Sequence, residues 1–268
     1  MNTINIETPA DWKDYELIDS GDGAKLERFG SYTIARTDPR ALWQKRASDQ
    51  WNSAVKPPQR PWKISYKHLT FLLRTTEFKH VGIFPEQAVN WDWLYSRADG
   101  LNILNLFAYT GGATLAAASA GAHVTHVDSV KSTIAWAREN VVASNLSSTP
   151  IRWIEEDAYK FVLREGRRGN TYDAIIMDPP RFGRGSKGEV WKIEEDLPKL
   201  LEACKQILSP KPAFFLINAY TADLSSLVPR HMLSNLMESD MIEFGELALK
   251  ETIGGRLLPN GIFARWSR

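Results

Sequence analysis

Apolar and polar positions are ordered differently on the two sides of residue 80. Over "YELIDSGDGAKLERFGSYTIAR" (15–36) they alternate around Gly21-Asp22-Gly23 and Gly30, which predicts short antiparallel strands joined by turns. Residues 36–80 read as irregular, broken by "KPPQRP" and followed by the mixed apolar and basic run "ISYKHLTFLLRTT". Beyond His80 the pattern predicts strand "LNILNLF", helix "GATLAAASAG", strand "HVTHVD", helix "VKSTIAWARENVVASN", strand "PIRWIEED", helix "AYKFVLREGR" and strand "YDAIIMD". It continues with helix "GEVWKIEEDLPKLLEACKQIL", strand "AFFLINA", helix "LSSLVPRHMLSNLM" and two strands, "FGELALKET" and "GIFARWS". Strands alternating with helices of this length predict a Rossmann-like α/β fold: a doubly wound, mainly parallel seven-stranded sheet with C-terminal antiparallel strands. The expected organisation is a small β-rich, basic region at 1–79 and a larger domain at 80–268.

Composition bounds this picture without redirecting it. A chain of 268 residues with 43% hydrophobic side chains can bury one large α/β core and carry a smaller appendage. The single cysteine, Cys204, excludes an intrachain disulfide and suits a reducing compartment. No segment reads as a signal peptide or a membrane span, so a cytoplasmic protein without a membrane partner is expected. The net charge is +1, but residues 36–79 carry +7 and the rest of the chain −6. A basic segment is therefore grafted onto a mildly acidic body.

Candidate chemistry collects at the carboxyl ends of the predicted strands, where open α/β sheets bind their ligands. "NLFAYTGG" (105–112) follows the first strand, and Gly111 and Gly112 let backbone approach a ligand while the next helix offers its N-terminal N–H groups. The same pair also fits a plain tight turn. Asp128 ends the second strand, 17 residues after Gly111, where a carboxylate can accept from both hydroxyls of a ribose. Asp157 follows the third, able to reach an adenine amino group, with Ala158 leaving room for the ring; a helix N-cap explains Asp157 equally well. "YDAIIMDPPRF" then places Asp178 before Pro179 and Pro180, a stiff loop without backbone donors, followed by the aromatic Phe182. Such a loop suits transfer of a group to a flat acceptor, with Phe182 stacked on its face.

"ILNLFAYTGGATLAAASAGAHVTHVDSVKSTIAWARENV", "EEDAYKFV" and "YDAIIMDPPRFGRG" resemble the class I S-adenosylmethionine-dependent methyltransferases, specifically the bacterial ribosomal-RNA large-subunit group that modifies cytosine C5 or guanine N7. The resemblance covers roughly residues 80–268. It implies S-adenosyl-L-methionine as cofactor, with its methionine part at Phe107, Tyr109, Thr110, Gly111 and Gly112. It further implies ribose at Asp128 and Ser129, adenine at Asp157 and Ala158, and the acceptor at Asp178 and Pro179. "HVGIFPEQ" is similar to a segment that folds over the cofactor in these enzymes, which adds Phe84 and Gln87 as contacts.

Two departures bear on the substrate. Cytosine-C5 members carry a nucleophilic cysteine after the fifth strand, because a thiolate must add to C6 before C5 can attack. Here that stretch reads "FFLINAYTADLS"; Cys204 lies on the apolar stripe of a helix and reads as core. A nitrogen acceptor, which needs alignment and loss of a proton but no covalent intermediate, is preferred over carbon. Asn218 and Tyr220 occupy the cysteine's region and either line the acceptor pocket or merely finish the strand. The second departure is the missing recognisable RNA-binding module. In its place stands the basic segment with Lys63 and Lys67, interleaved with Trp43, Trp51, Trp62 and Tyr66, which fits unstacked RNA and fits interior packing equally. A second cluster, Arg181, Arg184, Lys187 and Lys192, follows the diproline and reads as a mobile lip or a solvated loop.

No metal-site, nucleophilic-serine or nucleotide P-loop spacing occurs, and His123 and His126 sit at odd spacing on one strand, facing opposite sides. The expectation is a methyltransferase of ribosomal RNA bases. A protein or small-molecule acceptor, or an RNA-binding protein that keeps the cofactor fold without turnover, are the alternatives.

Overall fold

A computed structural model describes residues 3–76, 80–184, 188–220 and 223–268. The chain divides into two compact units, one of Met1–Ile6, Asn90–Glu246 and Gly261–Arg268, the other of Glu7–Val89 and Leu247–Asn260. The division differs from a single cut near His80: the first residues belong to the larger unit, and 247–260 return to the smaller one. Both exchanges pair segments remote in sequence, which local periodicity does not encode.

The chain begins with β1 (Asn5–Glu7) and enters the smaller unit as an antiparallel meander, β2 (Tyr15–Gly21), β3 (Ala24–Phe29) and β4 (Tyr32–Thr37). Asp22 (φ 51°) and Gly23 (φ 71°) make the first turn, the positive φ pair that matches strand twist in tight hairpins. After a short helix α1 (Ser48–Trp51), the stretch expected to be irregular forms a second hairpin, β5 (Trp62–Tyr66) and β6 (Leu69–Leu73). Trp62, Ile64 and Tyr66 are buried, whereas Lys63 and Ser65 point to solvent. Trp12 packs on Tyr66 with ring centroids 4.7 Å apart, and Tyr15 on Phe29 at 5.1 Å.

The larger unit follows α2 (Ala88–Tyr95), of which Asn90 onward belongs to it, and runs β7 (Asn102–Leu106), α3 (Gly112–Ser119), β8 (His123–Asp128), α4 (Lys131–Ala143), β9 (Ile151–Glu155), α5 (Ala158–Arg168) and β10 (Ala174–Met177). These elements alternate as the periodicity predicts. The expected long helix from Gly188 instead begins as a hairpin, β11 (Phe182–Arg184) against β12 (Val190–Lys192), and only Ile193–Lys205 is helical, as α6. Then come β13 (Phe214–Ala219), α7 (Leu227–Ser234), β14 (Ile242–Lys250) and β15 (Leu257–Ser267).

The sheet has eight strands rather than seven, in the order β1-β14-β15-β13-β10-β7-β8-β9, the extra one being β1 beside β14. β9, β8, β7, β10 and β13 are parallel; β15 is antiparallel to β13. Chain order reverses direction between β7 and β10, which makes their carboxyl ends the switch point. Leu104, Leu106, Ile175, Met177, Phe215 and Ile217 bury one sheet face together with Phe161 of α5 and Leu197 of α6. Such near-continuous apolar strands are what burial on both faces requires. Cys204 is wholly buried in the same core, and burial pushes its thiol up, as a core assignment demands.

Candidate active site

Strand register brings the strand-end residues into one line. Leu106, Val127, Met177 and Ile217 form a single row across β8, β7, β10 and β13. Phe107, Asp128, Asp178 and Asn218 are the next residues on each strand. At about 4.8 Å between neighbouring strands, the backbones of Asp178 and Asn218 stand roughly 5 Å apart and that of Asp128 about two strand widths from Asp178. Whereas Phe107, left-handed just beyond β7, packs against the α5–α6 core, side chains alternate along a strand, so Asp128 and Asn218, like Asn105 and His126 below them, face away from that core. On that face lie α2, whose Trp93 stacks edge-on against Phe214 at 5.2 Å, and α3.

The loop that opens the row is held in an unusual shape. Phe107 (φ 55°) and Tyr109 (φ 48°) are both left-handed, a region that costs bulky residues of order 1–3 kcal/mol each and persists only where surroundings impose it. The constraints are specific. Ala108 N donates to Val127 O (3.1 Å), Tyr109 N to Asp128 Oδ2 (2.8 Å), and Asn140 Nδ2 of α4 to Thr110 O (2.9 Å). Gly111 (φ 89°) caps α3, and a Cβ on Gly112 would lie 2.7 Å from the Trp91 ring. Beneath the loop, Asn105 Nδ2 donates to Thr114 Oγ1, which contacts His126 Nδ1, both at 2.9 Å. Burial, reinforced by Arg138, lowers His126 to about 3 and keeps it neutral. His126 is buried and His123 exposed, in keeping with their odd spacing.

Asp128 accepts from Tyr109 N, from Val130 N (2.9 Å) and from Thr133 Oγ1 (3.0 Å). Burial nevertheless raises its carboxyl, against the lowering effect of those donors. Oδ1 already takes two donors and Oδ2 one, so further acceptor capacity lies on Oδ2, and burial leaves the charge under-compensated. Tyr109 is raised to about 12 by burial and then by the neighbouring Asp128. Ser129 is half-buried beside it. Asp157 is the N-cap of α5, accepting from Lys160 N at 2.9 Å, and Ala158 is buried behind it.

On the other side of the switch point, Asp178 is half-buried, Pro179 buried and Pro180 exposed. Trp191 of β12 donates its indole N–H to Pro180 O at 2.7 Å and packs its ring on Phe107 at 4.9 Å. One side chain thus braces both loops. Phe182 is 54% exposed. Arg181 forms ion pairs with Asp223 (2.5 Å) and Glu194 (3.7 Å), and Lys192 with Glu195 (2.8 Å), all on the surface; Arg184 is exposed. The described part of the expected lip is thus the β11–β12 pair, with ion pairs at Arg181 and Lys192; Lys187 lies outside the described residues. Asn218 is buried, and its Oδ1 accepts from Asn90 Nδ2 at 2.9 Å. Tyr220 is half-buried, its ring 3.2 Å from where a Cβ of Gly261 would stand.

Phe84, Gln87, Lys63 and Lys67 belong to the smaller unit. Gln87 is buried in a single 3-10 turn, Phe84 stacks on His80 at 5.4 Å, and Lys63 and Lys67 are exposed on the β5–β6 hairpin. The interleaved aromatics are used inside this unit. Trp62 and Tyr66 are buried, Trp51 donates to Asp19 Oδ2 (2.9 Å), and Trp43 donates to Ser20 O (3.0 Å). Arg36 and Arg40 are likewise ion-paired, with Glu27 (2.6 Å) and Asp38 (2.8 Å).

A family model for S-adenosylmethionine-dependent methyltransferases matches residues 23–227, about three quarters of the chain. The chain belongs to this family. A crystal structure of the SAM-dependent methyltransferase from Agrobacterium tumefaciens superposes with a TM-score of 0.93 at 41% identity, over 98% of this chain and 93% of that one. A further solved structure, complexed with SAH, shares 19% identity at a TM-score of 0.74 over 96% of this chain and 76% of that one, and shows the fold alone. The ribosomal RNA large subunit methyltransferase K/L of Shewanella frigidimarina is 33% identical over 52% of this chain and 20% of its own length. That of Hahella chejuensis is 32% identical over 52% and 19%. The match thus spans about a fifth of these curated relatives. For a methyltransferase of this family the row has a fitting donor set: an under-compensated strand-end carboxylate, a glycine pair at a helix start, and a diproline loop across the switch point. Asn90, Trp91, Asn140 and Trp191 support that row without any sequence signal of their own.

Proposed function

We propose that this protein transfers the methyl group of S-adenosylmethionine to a base of ribosomal RNA, at a nitrogen. The observation that supports the reading is the single row of Phe107, Asp128, Asp178 and Asn218, with one carboxylate on either side of the switch point, to which the ribose and the acceptor are assigned. When bound, the cofactor supplies an electrophilic methyl that an acceptor nitrogen takes up while the sulfur keeps the bonding pair. Phe107, Tyr109, Thr110, Gly111 and Gly112 hold its methionine part, Asp128 and Ser129 its ribose, and Asp157 and Ala158 its adenine. Asp178 accepts from the acceptor's N–H and receives the displaced proton, while Pro179 and Pro180 keep the loop rigid and Phe182 stacks on the base.

Nitrogen is preferred because Cys204 lies in the core and cannot serve as the thiolate that carbon methylation requires. RNA is supported by the names of the curated relatives and by exposed cations, Lys56, Arg60, Lys63 and Lys67, in the basic segment. Because the tryptophans there are occupied by packing, contact with RNA falls to these cations and to Arg181 and Arg184. The test incubates the protein with methyl-labelled S-adenosylmethionine and RNA from a strain lacking it, both as deproteinised RNA and as intact ribosomal subunits. Label is expected in ribosomal RNA; label in protein or small molecules with none in RNA overturns the reading.

A further inference from the structure

Helix α4 meets the 107–112 loop from behind. Trp136, Ala137 and Asn140 share one helix face, and all three are buried. Asn140 Nδ2 reaches Thr110 O at 2.9 Å; a peptide carbonyl only accepts, so the amide must turn its nitrogen to the loop. Ala137 Cβ stands 3.1 Å from where a Cβ of Gly111 would be, and the Trp136 ring lies 6.5 Å from that of Tyr109. One turn earlier, Thr133 Oγ1 donates to Asp128 Oδ1 at 3.0 Å. A single helix thus braces both the loop and the strand-end carboxylate.

The loop depends on such a brace. Gly111 N donates to Ala108 O at 3.0 Å, closing a tight turn whose first central residue is Tyr109, at φ 48°. Turns of that hand give this position to glycine, asparagine or aspartate, and a tyrosine stays there only under outside constraint. Two constraints, at Ala108 N and Tyr109 N, come from β8; Asn140, wholly buried, adds the one at Thr110 from inside the fold. We infer that Asn140 is a positioning residue for S-adenosylmethionine: through Thr110 it fixes the left-handed turn that delivers the chain to the N-terminus of α3. The inference rests on the reading that residues 107–112 hold the cofactor's methionine part. Without the amide bond the turn relaxes, and binding must first re-form it, which weakens affinity. Once the cofactor is bound the geometry is restored, so turnover holds.

Calorimetry with S-adenosylmethionine tests this without any acceptor. Asn140→Asp, isosteric but with no N–H to give, and Asn140→Ala should each weaken the Kd by about tenfold, while kcat on ribosomal RNA at saturating cofactor stays within about twofold. Val141→Ala, a buried position of the same helix, lowers stability through lost packing and should leave the Kd within about twofold of wild type. An equal loss of affinity in Val141→Ala means that binding merely tracks stability and overturns the role of Asn140. Gly111→Val, strained at φ 89° and crowded by Ala137, tests the loop itself. Wild-type affinity in folded Asn140 variants, with binding lost in Gly111→Val, overturns the inference and leaves the loop assignment standing. Unchanged affinity in all of them overturns both. Where the Asn140 variants do not fold, Ala137→Val, which presses on Gly111 from the same helix, carries the test with the same expected loss and the same overturning results.

Discussion

Asp128 is raised by burial although hydrogen bonds, among them those from Tyr109, Val130 and Thr133, favour its charge, so a ligand hydroxyl that donates to Oδ2 relieves part of the cost of burial. Asp128→Ala should weaken S-adenosylmethionine binding by about 1–3 kcal/mol in calorimetry; unchanged affinity removes the ribose assignment. Asp178→Ala should instead depress kcat with little change in cofactor Kd, and equal losses in both would move Asp178 to the cofactor. His126 gives a pH signature. Its folded value, about 3, lies below the ordinary histidine range, so between pH 6.5 and 3 the unfolded chain binds a proton that the folded one does not. Stability is present above pH 6.5 and is lost as pH falls. The expected contribution is about 2 kcal/mol between pH 7 and pH 5, read from urea midpoints, and His126→Gln should lack that part of the slope. At this scale the strand-end acids are visible in the sequence because they terminate apolar runs. Asn90 and Asn140 are not, since each sits in a helical pattern and acts on a group 128 or 30 residues away.

The element that departs most from sequence expectation, the β11–β12 hairpin, is also the one that joins the two halves of the row. Its strands are three residues long, and "EVWK" runs straight into a helix, so helical periodicity masks the hairpin. Trp191 touches Phe107 with its ring and Pro180 O with its N–H. Trp191→Phe keeps an aromatic ring and loses the donor. It should cost about 1 kcal/mol of stability and lower kcat several-fold while cofactor Kd holds; an unaltered kcat means the hairpin does not position the diproline. The β5–β6 hairpin shows the complementary case. Trp62, Ile64 and Tyr66 do alternate with Lys63 and Ser65, but three prolines just before them and the bases among them obscure a five-residue signal. The parallel strands, by contrast, are legible because burial on both faces demands near-continuous apolar runs such as "ILNL", interrupted only by Asn105, and "AIIM".

Across the whole molecule the charge is close to balanced, so any attraction to a polyanion must come from local placement. The basic segment is less basic in effect than its count suggests, because Arg36 and Arg40 are spent on Glu27 and Asp38 within the smaller unit. What remains at the surface includes Lys63, near the open end of the β5–β6 hairpin, and Lys67, in its turn. If these contact phosphates, each releases roughly 0.7 of a counterion on unstructured RNA, and reversing both must flatten the salt dependence as well as weaken binding. The double variant Lys63→Glu, Lys67→Glu should therefore bind ribosomal RNA at least tenfold more weakly at 0.1 M salt. The slope of log K against log salt should shrink by about 1.4, with cofactor affinity unchanged. A small-molecule methyltransferase would keep its activity in the same variant. A weaker RNA complex whose salt slope is unchanged would mean that the hairpin is misfolded rather than stripped of phosphate contacts, a result that circular dichroism of the variant distinguishes from true loss of charge pairing.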